Sequence, residues 1–384
     1  MATDVAVWNS QQAQLQSAAD AAALSAAHEL QLANVSDARI KEVAAAVTAI
    51  NLKSEDGTAR PYTIGVARNR KTSTVAVTLT EPRSFSLMRM AFDVGPMTVS
   101  ANAQFIGATK ICVILLDELP LVGLLLDNAA KLTARDCGVY ANSTGLGGIT
   151  AALLATMKAG LICSAGGYIG LLASVTPRVL VDCPKTKDPL ESRPEPSIGA
   201  CDYDNKTIAG GNVTLSPGTY CRGLSISGSA TVTLESGIYT IKDGPLSVQG
   251  TASFRGEYAG FHLVGDASVI SFGTLTTISL SAPKDGIMAG LLFYESQASP
   301  LLRLHLIMSN NARRLLGTFY LPKGTLVIDA SQPVADESEY TAIVAHRMIL
   351  RHGPELVLNS DYAGTDVPVP EGVGPISGRT VLKN

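Results

Sequence analysis

Between residues 205 and 282, apolar and β-branched residues come in short runs, each stopped by glycine. Thr207-Ile208-Ala209-Gly210, Ser225-Ile226-Ser227-Gly228, Ser247-Val248-Gln249-Gly250 and Ser271-Phe272-Gly273 repeat one pattern, with the glycines 18, 22 and 23 residues apart. Three of them are followed by a second alternating run: Val213-Thr214-Leu215, Val232-Thr233-Leu234 and Ile278-Ser279-Leu280. Apolar/polar alternation predicts strands with one buried face. Repetition at roughly 20 residues predicts strands that stack turn upon turn. The expected fold is mainly β: a right-handed parallel β-helix, or solenoid, preceded by a small α+β region with a long N-terminal helix.

Upstream the period changes. Residues 4–32 are rich in Ala, Gln and Leu, which favour helix. Trp8, Leu15, Ala19, Ala22 and Ala26 fall along one narrow face of mostly small residues, a face suited to docking a partner helix at close range. Ser36 is placed to cap a second helix, with Ile40, Val43, Ala44, Val47 and Ile50 at helical spacing. After a turn at 55–57, alternation at 62–66, 75–79 and 97–103 predicts a small antiparallel sheet, with a short amphipathic turn at 83–92. The expected division is therefore 1–106 and 107–384. The second domain carries an exposed proline-rich loop at 184–200 that leaves the coil, and a Gly/Pro tail from 363 whose last residues pair as an edge strand. The apolar run 147–175 is long enough to span a membrane. Its glycines at 147, 148, 160, 166, 167 and 170 favour a place in the strand stack instead.

Composition sharpens this picture. Charged residues are 16% of the chain, the net charge is −3 and aromatics are 5%. With no basic stripe, nucleic-acid binding is not expected. Cys112, Cys137, Cys163, Cys183, Cys201 and Cys221 form no CxxC pair and no zinc spacing. An even number without metal spacing points to disulfides in an exported protein. The pairing stays open among fifteen possibilities. Cys201 and Cys221 bracket the first turn of the repeat.

Catalytic patterns are sparse. Polysaccharide-active β-helices need carboxylates converging on one face. Asp202 and Asp204 alternate around Tyr203 and qualify on spacing, but a solvated turn explains them as well. Asp243, Glu257, Asp266 and Asp285 stand singly. The histidines at 28, 262, 305, 346 and 352 form no HExxH, and His346 with His352 is the one pair near enough for a shared metal. No P-loop, GxSxG or DxSxS run is present. No catalytic residue, cofactor or metal is expected.

Several stretches resemble a known family. LQSAADAAALSAA (15–27), TVAVTLTEPRSFSLMRMAFDVGPMTVSANA (74–103), KLTARDCGVYANS (131–143), GLICSAGGY (160–168), NVTLSPGTYCRGLSISGSATVTLESGIYTIKDGPLSVQG (212–250), GTFYLPKGTLVI (317–328) and LVLNSDYAGTDVPVP (356–370) are similar to the TadE/TadG-like proteins of bacterial tight-adherence (Flp-type) pilus assembly. The likeness covers nearly the whole chain and is most specific at 212–250. It departs at ATMKAG (155–160) and LRHGPE (350–355), where the family's Ser-Gly-Asn corners are replaced. The membrane helix that usually precedes residue 4 in such proteins is absent from this chain. The resemblance implies a non-catalytic structural or adhesive component of a pilus or surface-attachment apparatus. It implies pilin-like or other assembly proteins as partners, surface glycan or protein as ligand, and membrane attachment through an N-terminal anchor outside this chain. The expected location is extracytoplasmic, in the periplasm or at the cell surface. The alternative is a β-helix polysaccharide lyase or hydrolase.

Overall fold

The computed structural model describes residues 2–31, 36–53, 58, 60–69, 74–82, 95–106, 109–376 and 379–382; the turns expected at 55–57 and 83–92 lie outside them. The chain divides into two compact units, one of 1–108 with 375–384, the other of 109–374.

In the smaller unit, helices α1 (Ala2–His28) and α2 (Asp37–Asn51) accompany strands β1 (Thr63–Asn69), β2 (Thr74–Glu81) and β3 (Met97–Ile106). Ser36 caps α2 by accepting from the Arg39 N–H at 3.1 Å. The sheet is antiparallel in the order β1, β2, β3 and then the C-terminal strand Arg379–Leu382, which sequence groups with the tail of the second domain. Val75, Val77 and Leu79 alternate inward from β2. They share a core with Ala18, Ala19, Ala22, Ala23 and Ala26 of α1 and with Ile40 and Ala44 of α2. The small-residue face of α1 predicted to dock a partner is thus filled from within its own unit. Leu15, Ala19, Ala22 and Ala26 are fully buried, and Trp8 alone of that set stays 38% exposed. The physical reason is the one that suggested docking: alanine lets two elements approach closely, and here the neighbours are β3 and α2.

The larger unit is mainly β, and its ladders are parallel. Two long strands, Gly218–Ile226 and Asn311–Ile328, each pair with two shorter strands on their facing sides, so these pairings close a ring of eight parallel strands with further strands paired beyond it. Three inward columns follow the registers. The first runs Tyr239, Phe261, Phe293, Phe319, Ile343, Val113, Val139 and Ile162. The second runs Ile208, Ile226, Val248, Phe272, Ile307, Ile328, Leu350, Leu126 and Ala151. The third passes Leu215, Leu234, Gly256, Leu280 and Leu315, and further along Val334, Leu356, Leu132, Met157 and Val175. Aromatic rings run along the first column, with Tyr220 packed beside its start: Tyr220, Tyr239, Phe261, Phe293 and Phe319 follow one another with centroids 5.9, 5.6, 5.4 and 4.8 Å apart. Such rings bury large apolar area and gain about 0.5–1.5 kcal/mol per pair beyond it.

The order of levels in the stack is not the order of the chain. Residues 341–350 pair in register with 113–115 and 124–126, so the first strands of the unit sit directly after the last long one. The run 147–175 supplies strands Ile149–Ala151, Thr156–Ser164 and Tyr168–Ile169 of this stack. Among the described residues no helix is long and apolar enough to cross a membrane.

All six cysteines are paired: Cys112–Cys137, Cys163–Cys183 and Cys201–Cys221. Three disulfides point to an oxidising, extracytoplasmic compartment.

Candidate functional site

Because the stack order is permuted, the chain must return from one end of the stack to the other. Residues 184–200 make that return. Prolines at 184, 189, 194 and 196 forbid helix and bias the backbone to extended forms. An extended segment cannot satisfy its own polar groups, so partners come from the wall of the stack. The Asn142 amide brackets Thr186, donating to its carbonyl at 2.7 Å and accepting its N–H at 2.8 Å. The Tyr320 hydroxyl donates to Asp188 at 2.9 Å. Gln297 donates to the Glu191 carbonyl at 2.9 Å and to Tyr320 Oη at 3.1 Å. Arg193 donates to the Ile287 carbonyl at 2.9 Å, and Glu195 meets His262 Nε2 at 2.8 Å. Leu190 and Pro196 are buried. The segment expected to leave the coil as an exposed loop is therefore a strap along it. Cys163–Cys183 pins one end and Cys201–Cys221 the other.

Between strap and stack lies a cleft of about 580 Å³. Glu118, Asp188 and Glu191 contribute acids to its lining, Lys187, Lys323 and His346 basic groups, and Asn142 and Gln297 amides. Burial raises the Asp188 pKa above the ordinary carboxyl value, against the Leu190 N–H and the Tyr320 hydroxyl, which favour the anion. Its two oxygens accept those two donors. Burial also raises the Tyr320 hydroxyl and lowers His346, while Asp117 behind His346 works the other way. Asp117 itself is buried and held by Arg347 at 2.5 Å. A cleft with both signs of charge and several amide and hydroxyl groups offers hydrogen bonds in both directions, as a hydroxyl-rich ligand requires.

Next to the cleft, the corner at Pro322–Gly324 rests on a buried ionic cluster. Glu295 is fully buried. One of its oxygens accepts from Arg303 at 2.5 Å and from His305 at 3.1 Å, and the other from the Lys323 and Gly324 N–H groups, both at 2.8 Å. The Ile270 N–H points at His305 Nδ1, leaving Nε2 to carry the proton toward Glu295. Burial opposes ionisation of Glu295, but His305 and Arg303 prevail and hold its pKa below the ordinary glutamate value.

The carboxylates singled out from sequence are not drawn into this cleft. Asp202 accepts from the Thr219 N–H at 2.8 Å, capping the start of the stack, and Asp204 is held by Arg222 at 2.6 Å. His346 and His352 face different acids, Asp117 and Asp329. Sequence reasoning missed Asn142, Asp188, Glu191, Tyr320 and Lys323 as a group. The signal available was the proline spacing at 184–196, which predicts an extended segment able to lie along a wall. No family model, no curated protein and no solved structure matches the chain.

Proposed function

We propose that the chain is a non-catalytic structural or adhesive component of a bacterial surface-attachment apparatus of the tight-adherence pilus type. In this reading the ladders are the levels of a right-handed parallel β-helix, displayed in the periplasm or at the cell surface, and the smaller unit engages pilin-like assembly proteins. The observation that carries the structural role is the strap. It runs along the wall across the levels of Asn142, Tyr320 and His262, is fastened by a disulfide at each end, and holds Asp188 with one oxygen on the Leu190 N–H and the other on the Tyr320 hydroxyl. Those are the features of a wall built to hold shape outside the cytoplasm. The adhesive role falls to the strap cleft, with surface glycan as its ligand. The inward alanine face of α1 is not available to a partner, so partner contacts in this reading use its outer face.

The test is photo-crosslinking from exposed α1 positions such as Asn9 and Gln12 in the source cells. Recovery of a pilin-like protein is the expected result, and recovery of none sinks the pilus assignment. Binding of the intact protein to a glycan array, lost in Lys323→Ala with His346→Ala, tests the adhesive part.

One observation favours a second reading, a polysaccharide hydrolase or lyase: Glu118, Asp188 and Glu191 line one cleft, and a carboxyl with a raised pKa is what a general acid needs. New reducing ends from a polysaccharide panel, abolished by Asp188→Asn with the fold intact, decide for it.

A further inference from the structure

Most polar groups of the strap cleft are already engaged within the chain. Glu118 is held by Lys185 at 2.7 Å. Asp188 accepts from the Leu190 N–H with one oxygen and from the Tyr320 hydroxyl with the other. The Asn142 amide is taken up by Thr186, and the Gln297 amide nitrogen by the Glu191 carbonyl and Tyr320. Three charged groups of the lining are left over: the Lys187 and Lys323 ammoniums and the Glu191 carboxylate. Among the described residues no side-chain hydrogen bond or ion pair engages any of the three. They belong to both walls. Lys187 and Glu191 stand on the strap, and Lys323 on the stack corner whose main-chain N–H is fixed to Glu295 at 2.8 Å. Burial dominates the pKa shifts of Asp188 and His346, but the Lys323 ammonium bears on both, favouring the Asp188 anion and opposing protonation of His346. It is thus within coulombic reach of the strap and of the stack.

We infer that the cleft takes a glycan of carboxylated sugars, a uronate-type chain, with the sugar carboxylates on Lys187 and Lys323. The inference rests on the reading of the cleft as a glycan site and names the ligand class for it. Hydrogen bonds between an ammonium and a carboxylate are roughly twice as strong as neutral ones, so the two free ammoniums weigh most in selecting a ligand. A neutral sugar would displace water from both and give them no counterion. A polymer with several sulfates or phosphates per residue would crowd negative charge against Glu118, Asp188 and Glu191, which line the same space. A uronate chain avoids both faults. Each residue brings one negative charge for an ammonium and hydroxyl hydrogens for the Glu191 carboxylate. An acidic peptide would answer the lysines but has no hydroxyl to offer Glu191. The cleft volume of about 580 Å³ lies within the range of small-ligand sites, about 300–1,000 Å³.

The test is calorimetric titration of the whole oxidised chain with oligouronates of the galacturonate, glucuronate and mannuronate–guluronate types. The same oligomers with their carboxyls reduced to neutral sugars, and oligoglutamate, are titrated beside them. Binding of at least one oligouronate is expected, with its reduced form and oligoglutamate far weaker. Lys187→Met with Lys323→Met is expected to weaken that binding by about 100-fold, roughly tenfold for each charge-assisted bond lost. Lys187→Arg with Lys323→Arg retains most of it. Both pairs keep the main-chain bond from residue 323 to Glu295, and far-ultraviolet circular dichroism with free-thiol counts confirms that each variant is folded and oxidised. Equal binding of native and reduced oligomers, or a methionine variant that binds as wild type does, overturns the acidic ligand and leaves the glycan reading standing. Binding of no sugar, charged or neutral, overturns both. Oligoglutamate binding as tightly as any oligouronate overturns the inference in favour of an acidic peptide.

Discussion

Replacing Glu295 by alanine removes the shared acceptor for Arg303, His305 and the Lys323 and Gly324 amides. The Arg303 side chain is 6% exposed, so its charge is left without a counterion where water cannot easily reach it. Breaking a buried pair from one side costs about 3–5 kcal/mol. At a urea slope of about 3 kcal/mol/M, the midpoint of the larger unit falls by about 1–2 M. Hydrogen exchange supplies a local readout: the Lys323 and Gly324 amides lose protection before the ladders do. The pH dependence has a definite sign. Glu295 has a folded pKa below its ordinary 4.5. Its contribution is therefore complete above pH 4.5 and is lost as the pH falls through the lower folded value. Glu295→Gln removes that part of the acid sensitivity while keeping the volume. Replacing Glu295, Arg303 and His305 together by Leu, Met and Leu recovers the part of the loss that comes from the unpaired Arg303 charge, because a buried ionic cluster exchanges with apolar packing at little net cost, while the Lys323 and Gly324 N–H groups stay unpaired. A Glu295→Ala midpoint within about 0.3 M of wild type, with both amides still protected, would refute this account of the corner.

Other predictions concern the strap and the corners. Asn142→Ala deletes both bonds to Thr186, costs about 1–3 kcal/mol and makes 184–200 the first site of limited proteolysis. Cys201→Ser with Cys221→Ser opens a loop of sequence separation 20 and lowers stability by about 3 kcal/mol in a denaturant titration. Gly324→Ala drives a methyl into His305 Nε2, displaces that ring and reproduces most of the Glu295→Ala loss in the same urea titration. His262 is buried with its pKa lowered below 6.5, burial outweighing Glu195. The unfolded chain therefore takes up its proton first, and this site contributes a loss of stability as the pH falls below 6.5, an effect absent in His262→Gln.

At Gly228 and Gly250 the glycine period reports a physical contact between successive levels. Gly228 and Gly250 adopt positive φ, and a methyl on Gly250 would lie 2.7 Å from the Gly228 carbonyl oxygen. The same close approach recurs between Gly228 and the Ala209 carbonyl. Only a residue without Cβ fits such stacked corners. Strand alternation in β2 and the α2 cap were legible for equally local reasons. The seam was not. Ile343 pairs with Val113 by the same apolar alternation that pairs Val113 with Val139, and nothing in either strand states that its neighbour lies 230 residues away rather than 26. The cleft followed the seam into obscurity, since Asn142, Asp188, Tyr320 and His346 meet only because the strap must return. The buried face of α1 shows a related limit: a stripe of alanine specifies close packing without specifying against what.

The permuted order also makes the seam testable as an interface. Cys112–Cys137 and Cys163–Cys183 lie before the strap and Cys201–Cys221 at its far end, so no disulfide joins the two sides of a cut made within it. A protease site inserted after Ser192, in an exposed part of the strap, yields two fragments. What then links residues 1–192 to 193–384 is the seam, with parallel bonds from 343–345 to 113–115, from 348–350 to 124–126 and from 355–357 to 131–133, together with the strap's own wall contacts and the pairing of Arg379–Leu382 with β3. Stacked levels derive their stability from nearest-neighbour interfaces, so the seam holds as any other level does, apart from the chain connection that raises effective concentration. The nicked protein is expected to elute as one species in native buffer without reductant, and to separate into two in urea. Separation in native buffer at micromolar concentration would show that the strap, rather than ladder pairing across 343–350, holds the first levels in place.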